Sequence, residues 1–180
     1  MASLVLKMSV SLDGCVAAAD GSGEWMAAGR SADSTGWVLE TVSGAGAHLV
    51  GAGAYAEWAS YWPGASGPFA EAMNEIPKVV FSRSLTSAGW GETEIAAGDL
   101  AEAVTRLKRE RSGGYLLAQG GARFARSLVA TGLIDEYRLV VHPVVLGAGE
   151  RLFAAPLTIE PLSTIAFSGG AVAHVFAARS

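Results

Sequence analysis

Residues 114–153 read GYLLAQGGARFARSLVATGLIDEYRLVVHPVVLGAGERLF. The stretch opens on a short apolar run, Tyr115-Leu116-Leu117-Ala118, with the length and character of a buried strand. Two glycines follow, Gly120 and Gly121, and the pattern then changes to helical spacing. Phe124 and Leu128, with Ala125 and Val129, share one face, and Gly132 stands where a helix C-cap glycine would. A strand that ends in paired glycines and turns at once into a helix presents bare backbone N–H groups, because glycine has no Cβ to cover them. The helix start adds partial positive charge, so such a corner suits phosphate or another anion. The first turn carries Arg123 rather than an acid, with Arg126 one turn on, and a cation there is unfavourable unless an anion lies nearby. A tight turn with solvated arginines is the plainer reading of the glycine pair by itself.

The second half continues through Gly132-Leu133-Ile134-Asp135-Glu136 to a strand ending His142-Pro143-Val144-Val145-Leu146-Gly147 and on to Leu152-Phe153. Taken with Gly120-Gly121, this order of motifs resembles the reductases of riboflavin biosynthesis, which have a dihydrofolate-reductase-like fold. Ser11-Leu12-Asp13-Gly14, closing a first strand over residues 3–10, resembles the opening of the same family. The resemblance implies an α/β three-layer sandwich with a mixed central sheet and a C-terminal antiparallel hairpin. It implies NADPH as cofactor, a hydride passed to a small C=N or C=O compound, a cis peptide between Gly120 and Gly121, and a homodimer. Gly120, Gly121, Ala122 and Arg123 are then the pyrophosphate corner. Val16 and Ala17 approach the nicotinamide carboxamide, and Trp25 either stands near the substrate or anchors the core.

Residues 48–56, HLVGAGAYA, offer a competing reading. Gly51-x-Gly53-x-x-Ala56 after a short strand satisfies a Rossmann dinucleotide fingerprint. A Rossmann unit needs an unbroken helix next, and Pro63, Gly64, Gly67 and Pro68 interrupt it. The reductase family has Gly-Arg-x-Thr-Tyr at this place. Gly51 and Tyr55 agree, whereas Ala52 and Ala54 replace the Arg and Thr that help to hold cofactor phosphates. The Ala-Asp-Asp-Pro run of the true riboflavin enzymes is also missing, which argues against their pyrimidine intermediate as substrate. Further on, Ser82-Arg83-Ser84 follows a strand over residues 76–81 and matches the family's adenosine-end motif. Hydroxyls and an Arg fork suit a phosphate monoester.

Two acids are candidates on the substrate side. Asp13 is either a turn aspartate bonding its own backbone or a polar group at the mouth of the site. Either Ser31 or Asp33 caps the next helix, and Asp33 is the second acidic candidate on the substrate side. A proton must reach the reduced bond, and Asp13, Asp33 or water could deliver it. Asp99 and Glu102 form a capping box for a helix striped by Leu100, Val104 and Leu107. His48 and His174 read as packing residues in strands, and His142 as a residue shaping a strand's end.

The 180 residues, 51% hydrophobic and 17% charged, give apolar material for one full core over residues 1–180 and exclude a disordered chain. The net charge of −4 gives no reason to expect nucleic acid or an anionic membrane as partner. Cys15 is the one cysteine, so no intramolecular disulfide forms and a reducing, cytoplasmic setting is expected. The N-terminus reads as a strand rather than a signal peptide, and no apolar run reaches the roughly 18 residues of a membrane helix. With one Cys and three His, no metal site is expected. The second functional class left open is a non-catalytic nucleotide-binding module on the same fold.

Overall fold

The structure is a computed structural model, and it describes residues 1–179. The first strand, β1 (Leu4–Ser11), lies near the middle of an eight-stranded sheet. It is followed by β2 (Cys15–Ala18), α1 (Ala32–Ser43), β3 (Ala45–Gly51), α2 (Ala52–Tyr61), α3 (Pro68–Glu75) and β4 (Lys78–Phe81). The chain continues through β5 (Thr93–Ala96), α4 (Leu100–Glu110), β6 (Tyr115–Gln119), α5 (Ala122–Thr131) and β7 (Glu136–His142). It ends with β8 (Gly149–Arg151), β9 (Ile159–Ala166) and β10 (Val172–Ala178).

The strand order is β5-β4-β3-β6-β1-β7-β10-β9. The first six strands are parallel, and β10 and β9 close the sheet as an antiparallel hairpin. β2 and β8 form a separate two-stranded ribbon. This is the mixed sheet with a terminal hairpin expected from the sequence, and its order excludes the Rossmann alternative, which would place the strands in the order 3-2-1-4-5-6.

Helices cover both faces, as parallel strands require. Leu4, Leu6 and Met8 of β1 pack with Val104 and Leu107 of α4 and with Ala125 and Leu128 of α5. Val5, on the opposite face, packs with Val42 of α1, Tyr55 of α2 and Met73 of α3. Successive side chains of a strand point to opposite faces. Lys7 and Ser9 therefore share Val5's face, where they are the polar interruption of an otherwise apolar strand.

The predicted break after β3 is real, but it joins two helices. α2 stops at Tyr61, a 3₁₀ turn covers Trp62–Gly64, and α3 begins on Pro68. Proline is well suited to a helix's first position, so residues that end one helix start the next. Ser31 caps α1 through a box with Ser34, and the Asp99 carboxylate accepts from the Glu102 N–H at 3.0 Å. Asp135 accepts from the Leu4 N–H and from Lys108 Nζ, each at 2.6 Å, which ties the loop after α5 to β1 and α4. Among the described residues no helix is long and apolar enough to cross a membrane.

Candidate active site

Strands β4, β3, β6 and β1 are neighbours and parallel, so their carboxyl ends share one edge of the sheet. That edge gathers the expected cofactor residues. Gly51 ends β3 and Gly53 lies in the first turn of α2. Ser82, Arg83 and Ser84 follow β4, while Gly120, Gly121, Ala122 and Arg123 follow β6. Val16 and Ala17 lie on β2, just past β1.

At the centre of the edge two helices begin side by side. A Cβ built on Gly121, the N-cap of α5, would lie 3.5 Å from the Ala54 Cβ of α2, and one on Gly51, the N-cap of α2, 3.1 Å from the Phe124 Cβ of α5. Neither helix has a side-chain cap or an acid in its first turn, so their opening N–H groups lack side-chain acceptors. Trp58, one turn further along α2, closes on Gly120: its Cζ2 is 3.1 Å from where a Cβ would be. The two glycines make the turn with φ of +70° and +69°, and no peptide among the described residues is cis. This corrects the cis bond expected between them. Left-handed glycine dihedrals reverse the chain without it.

Around the corner the other expected contacts are uneven. The Ser82 hydroxyl accepts from the N–H groups of Ser84 and Leu85, so it shapes its own loop. Arg83 and Arg123 are exposed, and neither is among the ion pairs of the described residues. Arg123 lines a groove between α5 and residues 152–157.

Beside the corner a cavity of about 380 Å³ opens between β1, β7, α1 and the α2–α3 turn. Trp62, next along the Trp58 face of α2, stacks with Phe69 at 5.3 Å between ring centroids. Together with Met26, Val38 and Val140 these rings make the cavity's apolar wall. Its polar groups are Lys7, Ser9, Arg30, Ser34, Thr35 and His142. Burial, and then the charge of Arg30, lower the Lys7 pKa to about 8. His142 Nδ1 bonds the Ala28 carbonyl at 2.8 Å, which makes it the N–H donor and leaves Nε2 an acceptor without a partner. Burial lowers its pKa as well, so the ring is neutral near pH 7. Trp25 meets His142 edge-on at 5.6 Å between ring centroids.

Asp13 and Asp33 stand elsewhere. Asp13 accepts from the Ser11 hydroxyl and from the N–H groups of Leu146 and Gly147, and clamps the β1–β2 turn to the loop after β7. Those bonds, the Ser11 hydroxyl first, lower its pKa to about 2. Asp33 binds the N–H and hydroxyl of Ser168 and so fastens the β9–β10 turn to α1. The Ser31 hydroxyl and then Ser168 lower its pKa to about 2. Neither acid lines the cavity, and neither carries a proton near neutrality. Lys7, Arg30 and Trp62 escaped the sequence reading. The available signal was Lys7 itself, a cation inside the run LVLKMSV.

Residues 2–171 match the RibD C-terminal domain. The chain belongs to the RibD C-terminal domain family. It is 27% identical over 183 residues to the Uncharacterized protein YyaP of Bacillus subtilis (strain 168), covering 96% of this chain and 93% of that one. Its fold is similar to that of a putative riboflavin biosynthesis protein from Shewanella sp. PV-4, with a TM-score of 0.78 at 20% identity over the whole of both chains. A pyrimidine reductase-like protein from Corynebacterium diphtheriae gives 0.72 at 13% identity, over 99% of this chain and 92% of that one. The deaminase/reductase of Thermotoga maritima gives 0.70 at 18% identity, over 99% of this chain and 57% of that longer one. The RibD reductase domain and the dihydrofolate-reductase-like fold expected from the motifs are therefore this chain's family and fold.

The two clamping carboxylates make a stability prediction. Their folded pKa values lie below those of a free aspartate, near 3.9. The stability they contribute is present above about pH 4 and is lost as pH falls through about 2. Asp13→Asn and Asp33→Asn should each lower the melting temperature at pH 7, and each should flatten its decline between pH 4 and pH 2. Thermal melts across that range check this, and a wild-type decline retained in both variants contradicts it.

Proposed function

We propose that the chain is an NADPH-dependent reductase that passes a hydride to a small, pterin- or pyrimidine-like C=N or C=O compound other than the riboflavin-pathway intermediate, as a cytoplasmic enzyme built on one domain. The observation that carries the reading is the pair of uncapped helix starts meeting at the sheet's carboxyl edge, next to a cavity that holds a lysine of lowered pKa. Anions are held well at helix starts, and ligands of open α/β sheets bind outside the strands' carboxyl ends.

The donors at that edge fit a dinucleotide. Backbone N–H groups after Gly121 and Gly51 would hold the pyrophosphate, and the small residues Ala52, Gly53 and Ala54 leave the backbone open to it. Arg83, exposed and in none of the ion pairs among the described residues, would hold the 2′-phosphate that separates NADPH from NADH. The Val16 and Ala17 backbone would orient the carboxamide. Bound there, the cofactor supplies the hydride. The Trp62–Phe69 wall keeps water from the reacting bond. Lys7 Nζ–H⁺ donates a proton to the nitrogen or oxygen of the reduced bond, becomes neutral, and regains its proton from solvent. A pKa of about 8 suits this duty, because the group is charged near pH 7 yet gives up its proton readily.

A binding module without turnover is the second reading, favoured by Ala52 and Ala54, which remove two side chains that contact phosphates in the family. Titration with NADPH and a hydride-transfer assay on pterins and cyclic imines separate the two. Binding without oxidation of NADPH on any of them selects the module.

The corner can be tested by substitution. Gly121→Ala places a Cβ at a φ of +69° and 3.5 Å from Ala54. Gly132→Ala meets the same left-handed conformation, φ +68°, with nothing within 4 Å. Both should lower stability by about 1–2 kcal/mol. Only Gly121→Ala should also weaken NADPH at least tenfold, and equal affinities in the two variants contradict the corner. In the same titrations Arg83→Ala should weaken NADPH by roughly ten- to a hundredfold, the worth of one charge-assisted hydrogen bond, and leave NADH nearly unchanged.

The proton donor predicts a pH profile. The rate of hydride transfer should fall as pH rises through about 8, where Lys7 loses its charge. Lys7→Met should abolish turnover while keeping NADPH affinity within about twofold. A profile flat to pH 10 counts against Lys7.

The terminal hairpin supports the homodimer. β9 is the sheet's edge strand, and its Leu162 and Ile165 are exposed, with Leu157 just before it. An eight-residue edge with apolar side chains pairs readily with another copy. Sedimentation at micromolar concentration should give twice 18.4 kDa, and Leu162→Lys should shift the species to the monomer. A wild-type species at 18.4 kDa refutes the dimer.

A further inference from the structure

Asn74, near the end of α3, bonds two distant parts of the chain with one amide. Its Nδ2 donates to the Trp62 carbonyl at 2.9 Å, and its Oδ1 accepts from the Trp90 indole N–H at 2.7 Å. Chemistry fixes the orientation of that amide, because a carbonyl only accepts and an indole N–H only donates. Trp62 belongs to the cavity's apolar wall. Trp90 stands in the loop between β4 and β5, which opens with Ser82-Arg83-Ser84. Lys78 and Thr93 are paired where these two parallel strands begin, so the loop must travel back the length of β4 before β5 can start. On that path residues 86–89 make no backbone–backbone hydrogen bond among the described residues. Leu85 and Ala88 pack instead on the cluster that contains Trp90. Trp90 is 5% exposed and is held from several sides. Its backbone N–H donates to the Tyr55 hydroxyl at 3.1 Å, and its ring centroid lies 4.2 Å from Lys78 Nζ, which donates to the Asn74 carbonyl at 2.9 Å.

We infer that Asn74 is a positioning residue for both halves of the site, setting the Trp62 wall of the cavity through its amide N–H and the Arg83 loop through its amide oxygen. The inference rests on the reductase reading for what the two halves bind, whereas the clamp is a property of the fold. The two arms differ in what happens when they break. A buried indole N–H without an acceptor is more destabilising than its bond is stabilising, so Trp90 keeps its place while Oδ1 is there to receive it. The Trp62 carbonyl has a second donor, the Ala65 N–H at 3.1 Å, so loss of the amide N–H loosens the wall without leaving that oxygen bare. Because each side of the amide serves one partner, the arms can be cut one at a time. Asn74→Asp retains an acceptor for the indole and loses the donor to Trp62. Trp90→Phe keeps an aromatic ring over Lys78 and removes the indole N–H.

The test is amide hydrogen exchange of the full chain, read by mass spectrometry over residues 62–67 and 84–92, in wild type, Asn74→Asp, Trp90→Phe and Asn74→Leu. Asn74→Asp should hasten exchange over 62–67 and spare 84–92. Trp90→Phe should do the reverse, and Asn74→Leu should hasten both. Each acceleration should be roughly three- to tenfold, the scale of one hydrogen bond in a local opening. Titrations of the same preparations with NADPH and NADH read the binding half. Trp90→Phe and Asn74→Leu should weaken NADPH by roughly three- to tenfold and NADH by less, since the loop they release carries Arg83. Asn74→Asp should keep NADPH within about twofold. The inference is overturned if Asn74→Asp and Trp90→Phe give one exchange pattern, if exchange quickens alike over α3 and the sheet, or if Trp90→Phe weakens NADPH and NADH equally. Should Asn74→Leu fail to fold, the two milder variants decide alone. A wild type that binds no NADPH removes the reductase reading and leaves the clamp to the exchange pattern. NADPH binding and turnover that no variant alters removes the clamp and leaves the reductase.

Discussion

Two helices that start on the carboxyl edge of the sheet, α2 and α5, leave their opening N–H groups without a side-chain acceptor, and their starts lie against one another. Peptide N–H groups are strong donors, and those of a helix's first turn have no partner within the helix. A protein can satisfy them with a capping Ser, Thr, Asp or Asn. α1 and α4 in this same chain do so, through Ser31 and Asp99. α2 and α5 are capped by glycines instead. The rest of the architecture follows from keeping that pair in place. Parallel strands β3 and β6 are adjacent, so the helices after them emerge together. Gly51 and Gly121 let the two turns touch, and Trp58 closes over Gly120.

From that corner the aromatic face of α2 runs on to the cavity. Trp58 covers the glycine turn, Trp62 lines the cavity, and the turn between α2 and α3 brings Phe69 onto Trp62. The Pro63–Pro68 segment that excluded a long Rossmann helix is the device that builds this wall. On the opposite side, β1 and β7 pair so that Lys7, Ser9, Val140 and His142 share one face. A strand covered on both sides tolerates a lysine poorly, and burial lowers its pKa accordingly. Such local unfavourable choices gather at functional sites, where the fold elsewhere compensates for them. The leucines and valines of β1 on the α4–α5 face supply that compensation.

Much of this was legible in the chain. The Gly120-Gly121 turn, the helix after it and the Gly132–Glu136 motif have local causes, namely a switch of apolar period, positive φ and a C-cap. The edge residues could be named because Gly51 ends a strand and Ser82, Arg83 and Ser84 come just after one. What stayed hidden depended on tertiary pairing. The roles of Asp13 and Asp33 are set by Leu146, Gly147 and Ser168, more than 130 positions away. Lys7 acquires meaning only when β7 and α1 close over its face. The Gly120–Gly121 peptide is the instructive miss, for the motif specified a reversal of the chain but not the dihedrals that make it.

The central claim is that the paired starts of α2 and α5 form one anion cradle for the dinucleotide. Amide chemical shifts during titration with NADPH test it most directly. The account predicts that the N–H resonances of Ala52, Gly53 and Ala54 and those of Ala122, Arg123 and Phe124 move together, with one midpoint. Shifts confined to one helix, or clustered at another edge of the sheet, would contradict it.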